Sequence, residues 1–78
     1  MTQHEAYVQT QVEALKRAYL AVREAAKLIR ETAPNMRDYG DYRGFEAARE
    51  RYTERIATLD TMARDLTRDA IQLQKGTA

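Results

Sequence analysis

Aromatic and basic side chains alternate in one short stretch of this sequence, between Asn35 and Arg43. Tyrosine rings can stack on a nucleobase, and guanidinium groups can form paired hydrogen bonds to a phosphate or a carboxylate. Tyrosine and arginine are also enriched among the residues that dominate protein–protein binding energy. The candidate ligand- or partner-binding residues are therefore Asn35, Arg37, Tyr39, Tyr42, Arg43 and Arg49.

Three interpretations of this stretch remain open on the sequence alone. It could contact another protein, or it could bind a small nucleotide-like anion. In the third interpretation it is only a cap, in which Tyr39 and Tyr42 cover the end of a helical bundle with their hydroxyls in water. In that case Arg37 would pair with Asp38 or Asp41 beside the rings.

The residues that usually perform catalysis or bind metals are few. The chain has no cysteine, no serine and one histidine, His4, so neither a serine nor a cysteine nucleophile is available. No glycine-rich phosphate loop is present. Carboxylates recur every four residues with arginines between them, which is typical of a solvated, salt-bridged helix face: Glu46, Glu50 and Glu54. We therefore predict no catalytic residues, no metal ligands, no cofactor and no enzymatic activity.

The first element that must position the candidate residues is a long helix. Its apolar residues alternate at spacings of four and three, which is typical of a helix packed lengthwise against another helix. Thr2 and Glu5 form a capping box at its start, and Pro34 ends it, so we predict a helix over about residues 3–32. The apolar stripe consists of Val8, Val12, Leu15, Tyr19, Val22, Ala26, Ile29 and Ala33.

A second helix follows a connector at residues 33–43. Asp41 is its expected N-terminal cap, and we predict a helix over about residues 44–74. Charged residues on the outer faces of the two helices are interpreted as solvated. The apolar residues are Phe45, Ala48, Tyr52, Ile56, Leu59, Ala63, Leu66, Ala70 and Leu73.

Two long helices joined by a short connector predict an all-α fold: an antiparallel two-helix hairpin in a single helical domain, residues 1–78. One hairpin has no closed interior, and alanines beside the first stripe widen its apolar arc, so residues such as Leu20, Met62 and Ile71 would stay partly wet. We therefore predict a four-helix-bundle dimer or higher oligomer. The predicted oligomer interface comprises Val8, Val12, Leu15, Tyr19, Val22, Ile29, Ile56, Leu59, Leu66 and Leu73.

Composition limits the compartment and the partners. The formal net charge is +1, without the basic excess of proteins that bind nucleic acid through its phosphates. The apolar runs are too short to span a bilayer, and no export signal is visible at the N-terminus. Together with the absence of cysteine, these features predict a cytoplasmic protein with no membrane partner.

The connector and the residues after it resemble a known group of proteins. The residues that carry the resemblance are Pro34–Tyr39, Phe45, Ala48, Arg49, Arg55 and Leu59. They are similar to small helical-hairpin proteins of bacteriophages and other mobile elements, which carry an Asn-x-Arg-Asp-Tyr connector between two helices. The similarity covers residues 29–66. This chain departs from the pattern at Gly40 and Asp41, where those proteins carry a second aromatic residue.

The resemblance implies a phage-type accessory protein in the cytoplasm of a bacterial host. Proteins of this class include inhibitors of host enzymes and of host defence. Together with the absence of catalytic residues and the predicted oligomer, this context predicts a non-enzymatic function: an oligomeric bundle that binds and modulates, by inhibition, a host protein such as a defence factor. The alternative is an oligomeric sponge that sequesters a nucleotide-derived signalling molecule through arginines and tyrosines of the connector.

Overall fold

The chain folds into a hairpin of two long α-helices. The computed structural model describes residues 2–76, and residues 1, 77 and 78, which the single-domain prediction includes, lie outside the described part. Helix α1 spans Gln3–Arg30, a short 3₁₀ turn spans Met36–Asp38, and helix α2 spans Tyr42–Lys75. Residues 2–76 contain no strand, so the all-α prediction is confirmed.

The two helices run antiparallel and pack against each other along their length. Near the connector, Arg30 Nη2 lies 3.6 Å from Asp60 Oδ1. At the opposite end, His4 and Val8 of α1 line one groove together with Leu73 of α2. The predicted hairpin is therefore confirmed for one chain.

Helix α1 begins as the sequence predicts. Thr2 is the N-cap, and its Oγ1 accepts a hydrogen bond from the Glu5 backbone N–H at 3.1 Å. The helix ends at Arg30, two residues before the predicted end. Pro34 disfavours helical geometry at the residue before it, and the last turn tightens so that Thr32 N–H bonds to Ile29 C=O at 2.9 Å.

Helix α2 begins at Tyr42, two residues earlier than predicted. Asp41 is the N-cap, as expected, and its Oδ1 accepts a hydrogen bond from the Gly44 backbone N–H at 2.6 Å. This bond fixes the start of the helix directly after Asp41, because the cap residue bonds to an amide in the first turn. Gly44 is thereby part of the helix rather than its beginning.

The contact between the helices is narrow. Among residues 2–76, the buried side chains are Val8, Val12, Ala26 and Ala48. The other apolar residues of the two stripes that lie within α1 and α2 are half-buried. Two helices in contact along a single line cannot enclose large side chains, so the hydrophobic contact stays open on both sides.

The molecule is elongated, with extents of 62 × 16 × 12 Å and a radius of gyration of 18.3 Å. A compact chain of this length would have a radius of gyration of about 11–12 Å. Its accessible surface is 6233 Å², whereas a compact monomer of 9.0 kDa exposes about 4,850 Å². The hairpin therefore exposes about 1,400 Å² more than a protein with a closed core.

Neither α1 nor α2 contains, within residues 2–76, an apolar segment long enough to cross a lipid bilayer.

Candidate functional site

A small cluster of side chains holds the connector against the first turns of α2. The rings of Tyr39 and Phe45 meet edge to face, with centroids 6.2 Å apart and planes at 65°. The Arg49 guanidinium lies 6.0 Å from the centre of the Phe45 ring, and its Nη2 is 3.2 Å from Glu46 Oε1. Of the predicted binding residues, Tyr39 thus packs the connector on α2, and Arg49 contacts Phe45 and Glu46 within α2.

Gly44 permits the close approach of the Asp41 carboxylate. A Cβ atom at position 44 would lie 3.0 Å from Asp41 Oδ1 and 3.6 Å from Tyr39 Cδ1. The first distance is tighter than an ordinary van der Waals contact, so a side chain there would disturb the N-cap. A Cβ atom at position 44 would therefore require the Asp41 carboxylate to shift by a few tenths of an ångström, whereas its distance to the Tyr39 ring is an ordinary contact.

Three of the other four predicted binding residues form a separate, exposed group. Tyr42 is 60% exposed, and Arg37 and Arg43 are also exposed. Within residues 2–76, none of these three side chains forms a hydrogen bond or an ion pair. Asn35 differs, because its Oδ1 accepts a hydrogen bond from the Arg37 backbone N–H at 3.1 Å and so shapes the 3₁₀ turn.

The ion pair expected in the cap interpretation does not form in the described part of the chain. Arg37 has no carboxylate partner there, and the Asp41 carboxylate instead binds the Gly44 N–H. The six predicted residues thus divide into a structural group and an exposed group. We call the exposed group the connector surface, consisting of Arg37, Tyr42, Arg43 and the neighbouring Met36, which is 52% exposed.

The ten residues predicted to form an oligomer interface contribute to the contact within one hairpin. Two of them, Val8 and Val12, are buried. The other eight are half-buried: Leu15, Tyr19, Val22, Ile29, Ile56, Leu59, Leu66 and Leu73. Only the edges of these eight side chains remain available to a second copy, along the two open sides of the hairpin.

One open side is apolar and almost without charge on α1, whereas Arg51, Glu54 and Arg55 of α2 line its other edge. The helical period places a row of alanines on this side of α1, with a large side chain at each end of the row. Tyr7 is 61% exposed and Leu28 is 52% exposed, and Met62 of α2 is 46% exposed. We call this the alanine side; on α1 it consists of Tyr7, Ala14, Ala18, Ala21, Ala25 and Leu28.

The opposite open side is basic. Here Arg30 pairs with Asp60, and the Arg23 Nη1 donates a hydrogen bond of 2.9 Å to the Tyr19 hydroxyl while its guanidinium lies 5.8 Å from the centre of the same ring. Leu20 is exposed among these charges. We call this the arginine side; it consists of Lys16, Leu20, Arg23, Arg30, Arg64, Arg68, Ile71 and Lys75.

Sequence reasoning missed the arginine side because it considered each helix separately. The charged residues were interpreted as a solvated outer face. When the two helices are placed side by side in their antiparallel register, basic residues of both helices lie along the same edge of the contact. The signal was therefore present in the sequence, but it depends on the register between α1 and α2.

Residues 2–76 contain no group of three or more His, Asp and Glu side chains placed to hold a metal ion. In comparisons with protein-family models, with curated proteins and with solved structures, nothing matched this chain. We therefore infer the function from the geometry of the connector surface and of the two sides of the hairpin.

Proposed function

We propose that this protein is a non-enzymatic interaction protein, which associates into a bundle of two or more hairpins and binds another protein to modulate it. The observation that carries the proposal is the excess surface. The chain exposes 6233 Å², about 1,400 Å² more than a compact monomer of its mass. A standard protein–protein interface buries about 800 Å² on each partner, so the excess is large enough to supply one.

The alanine side is the face proposed for self-association. Its α1 residues are uncharged, and alanines allow two helix backbones to approach closely. Tyr7 and Leu28 lie at nearly equal distances in sequence from Ala18. If α1 packs antiparallel on α1 of a second copy, Tyr7 of each chain meets Leu28 of the other. Self-association through the arginine side would instead bring like charges together, which is unfavourable.

Cysteine cross-linking tests this face directly, because the natural chain has no cysteine. Under mild oxidation, Ala18→Cys is expected to form a disulfide-linked dimer, since Ala18 lies near the proposed two-fold axis. Leu20→Cys, two residues away and 65% exposed on the other side of α1, is the matched control and is expected to remain unlinked. Equal cross-linking of both variants, or of neither, would contradict the proposed face.

The connector surface is the site proposed to contact the partner protein. Arg37, Tyr42 and Arg43 are exposed, so their truncation removes no side-chain hydrogen bond or ion pair within residues 2–76. Arginine and tyrosine in this exposed setting are typical of binding hot spots. The resemblance to phage proteins supports a bacterial host protein, such as a defence factor, as the partner, and the host cytoplasm as the compartment.

The experiment compares the natural protein with a variant carrying Arg37→Ala, Tyr42→Ala and Arg43→Ala as baits in a bacterial lysate. Proteins bound to each are quantified by mass spectrometry, and helical content and mass are measured for both baits. The proposal predicts a protein that is captured by the natural chain and lost with the variant, while fold and mass stay unchanged. Identical captured sets would contradict the role of the connector surface.

A second candidate function is the sequestration of a nucleotide-like anion. The supporting observation is that the guanidinium groups of Arg37 and Arg43 are unpaired within residues 2–76 and lie near the exposed Tyr42 in sequence. Against it, small-molecule sites are concave, and the connector surface is exposed. A thermal-shift panel of nucleotides tests it, because a ligand at 100 times its Kd adds about 2.7 kcal/mol of stability. No shift with any nucleotide excludes this function for that panel.

A further inference from the structure

The arginine side is a groove with an apolar floor and basic walls. Tyr19, Leu66 and Ala70 of the helix contact line its floor. Above this floor stand two large apolar side chains, Leu20 at 65% exposure and Ile71 at 46%. Leu20 and Ile71 line the same groove as these floor residues, so together they form a continuous apolar strip rather than isolated exposed side chains. A continuous apolar strip of this kind is typical of a docking groove.

The groove carries an excess of positive charge. Of the thirteen Lys and Arg residues in the chain, six line it, but only one of the twelve Asp and Glu residues does. The remaining surface therefore carries seven basic and eleven acidic residues. The groove is thus strongly positive on a chain whose formal net charge is only +1.

Half of these basic side chains form neither an ion pair nor a side-chain hydrogen bond within residues 2–76. Arg30 is paired with Asp60 at 3.6 Å, and Arg68 lies 3.2 Å from Asp65 and 3.7 Å from Asp69. Arg23 binds the Tyr19 hydroxyl. The basic side chains without such contacts in the described residues are Lys16, Arg64 and Lys75.

We propose that this groove binds an acidic amphipathic helix of the partner protein, with the helix's apolar stripe on Leu20 and Ile71 and its carboxylates on the surrounding arginines and lysines. This inference rests on the proposed function, since it names the chemistry of the partner and a second face that the partner contacts. From Lys16 to Arg30, the groove wall extends for about 21 Å. A helix of about four turns spans that distance.

The apolar side chains favour an acidic helix over a nucleic acid. A nucleic acid presents phosphates, which the basic walls could bind, but it has no continuous apolar stripe to cover Leu20 and Ile71. An amphipathic helix provides its apolar positions three and four residues apart, which matches a groove between two helices. Charge complementarity and apolar contact then act along the same line.

The probe is a fluorescently labelled synthetic peptide of about four helical turns, with leucines at helical spacing and glutamates on the flanking positions. Fluorescence anisotropy measures its affinity for the full chain at low and at physiological salt. A scrambled peptide of the same composition, and a labelled oligothymidylate, are measured in parallel. We expect the amphipathic peptide to bind at least tenfold more tightly than either.

Charge reversal at adjacent positions provides a matched pair of variants. Lys16→Glu places a carboxylate in the groove wall, whereas Arg17→Glu makes the same change in charge one residue away, outside the groove lining. We expect Lys16→Glu to weaken peptide binding at least tenfold, because like charges then face each other, and Arg17→Glu to weaken it less than threefold. Leu20→Ala is also expected to weaken it, without a change in helical content.

Three results would overturn the inference. The first is peptide binding that is absent or no tighter than that of the scrambled peptide. The second is an equal effect of Lys16→Glu and Arg17→Glu. The third is binding of oligothymidylate in preference to the peptide, which would assign the groove to nucleic acid. In each case, the proposed function would still be supported if capture of the partner protein depends on the connector surface. If the peptide binds as expected but capture does not depend on the connector surface, only the role of the connector surface is rejected.

Discussion

Two tyrosines three residues apart are predicted to have opposite roles: Tyr39 in the connector and Tyr42, the first residue of α2. Tyr39 is 38% exposed, and its ring packs edge to face on Phe45 at 6.2 Å. Tyr42 is 60% exposed and has no such ring contact in the described residues. An aromatic pair contributes about 1 kcal/mol beyond burial, and the hidden part of the Tyr39 ring contributes about 1 kcal/mol more. Tyr39→Ala should therefore lower the free energy of unfolding by about 2 kcal/mol.

Tyr42→Ala should change the free energy of unfolding by less than about 0.5 kcal/mol, as is usual for an exposed side chain without contacts. The assay is urea unfolding followed by circular dichroism at 222 nm, with all variants at one protein concentration because association also contributes to stability. Thermal unfolding should show a midpoint roughly 10 °C lower for Tyr39→Ala and almost unchanged for Tyr42→Ala. Equal losses from the two substitutions would refute the division of the connector into a structural group and an exposed group.

Three further substitutions test the fold that presents these surfaces, each by urea unfolding. Asp41→Ala removes the cap of α2 and should lower the free energy of unfolding by about 1 kcal/mol. Asp38→Ala is the control and should lower it much less, because the Asp38 carboxylate has no hydrogen bond or ion pair in the described residues. Equal losses from the two substitutions would argue against the cap. Val12→Ala should lower the free energy of unfolding by about 2 kcal/mol because Val12 is buried, and Val22→Ala by about 1 kcal/mol because Val22 is half-buried. The reverse order would contradict the described contact between the helices. Asp60→Asn should cost less than about 0.5 kcal/mol, because its ion pair with Arg30 is half exposed; a loss several times larger would show that the pair holds the helices together.

The helices and their caps are predictable from local sequence. The alternation of apolar residues by four and three requires no knowledge of the partner helix, and Thr2 and Asp41 act on amides of their own first turns. Boundaries were less accurate. The end of α1 at Arg30 reflects a tightened last turn before Pro34, in which the Thr32 hydroxyl also bonds to the Ile29 carbonyl at 2.6 Å, and such competition is difficult to infer from sequence.

The candidate site was predictable in composition but not in arrangement. Sequence identified the arginines and tyrosines of the connector, yet Tyr39 could be separated from Tyr42 only by its contact with Phe45. Of the two carboxylates predicted as partners of Arg37 in the cap interpretation, that of Asp41 caps α2, and that of Asp38 forms no ion pair in the described residues. Prediction of the arginine side requires the register between the two helices, and the apolar stripe of one helix does not specify that register.

The proposed function requires that one hairpin exposes too much apolar helix surface to exist alone, so that copies associate. Sedimentation equilibrium of the natural chain over a wide range of protein concentrations tests it most directly. The account predicts a mass of at least twice the 9.0 kDa of the chain, and dissociation that is accompanied by loss of helical content. A stable, fully helical species of 9.0 kDa in dilute solution would contradict it.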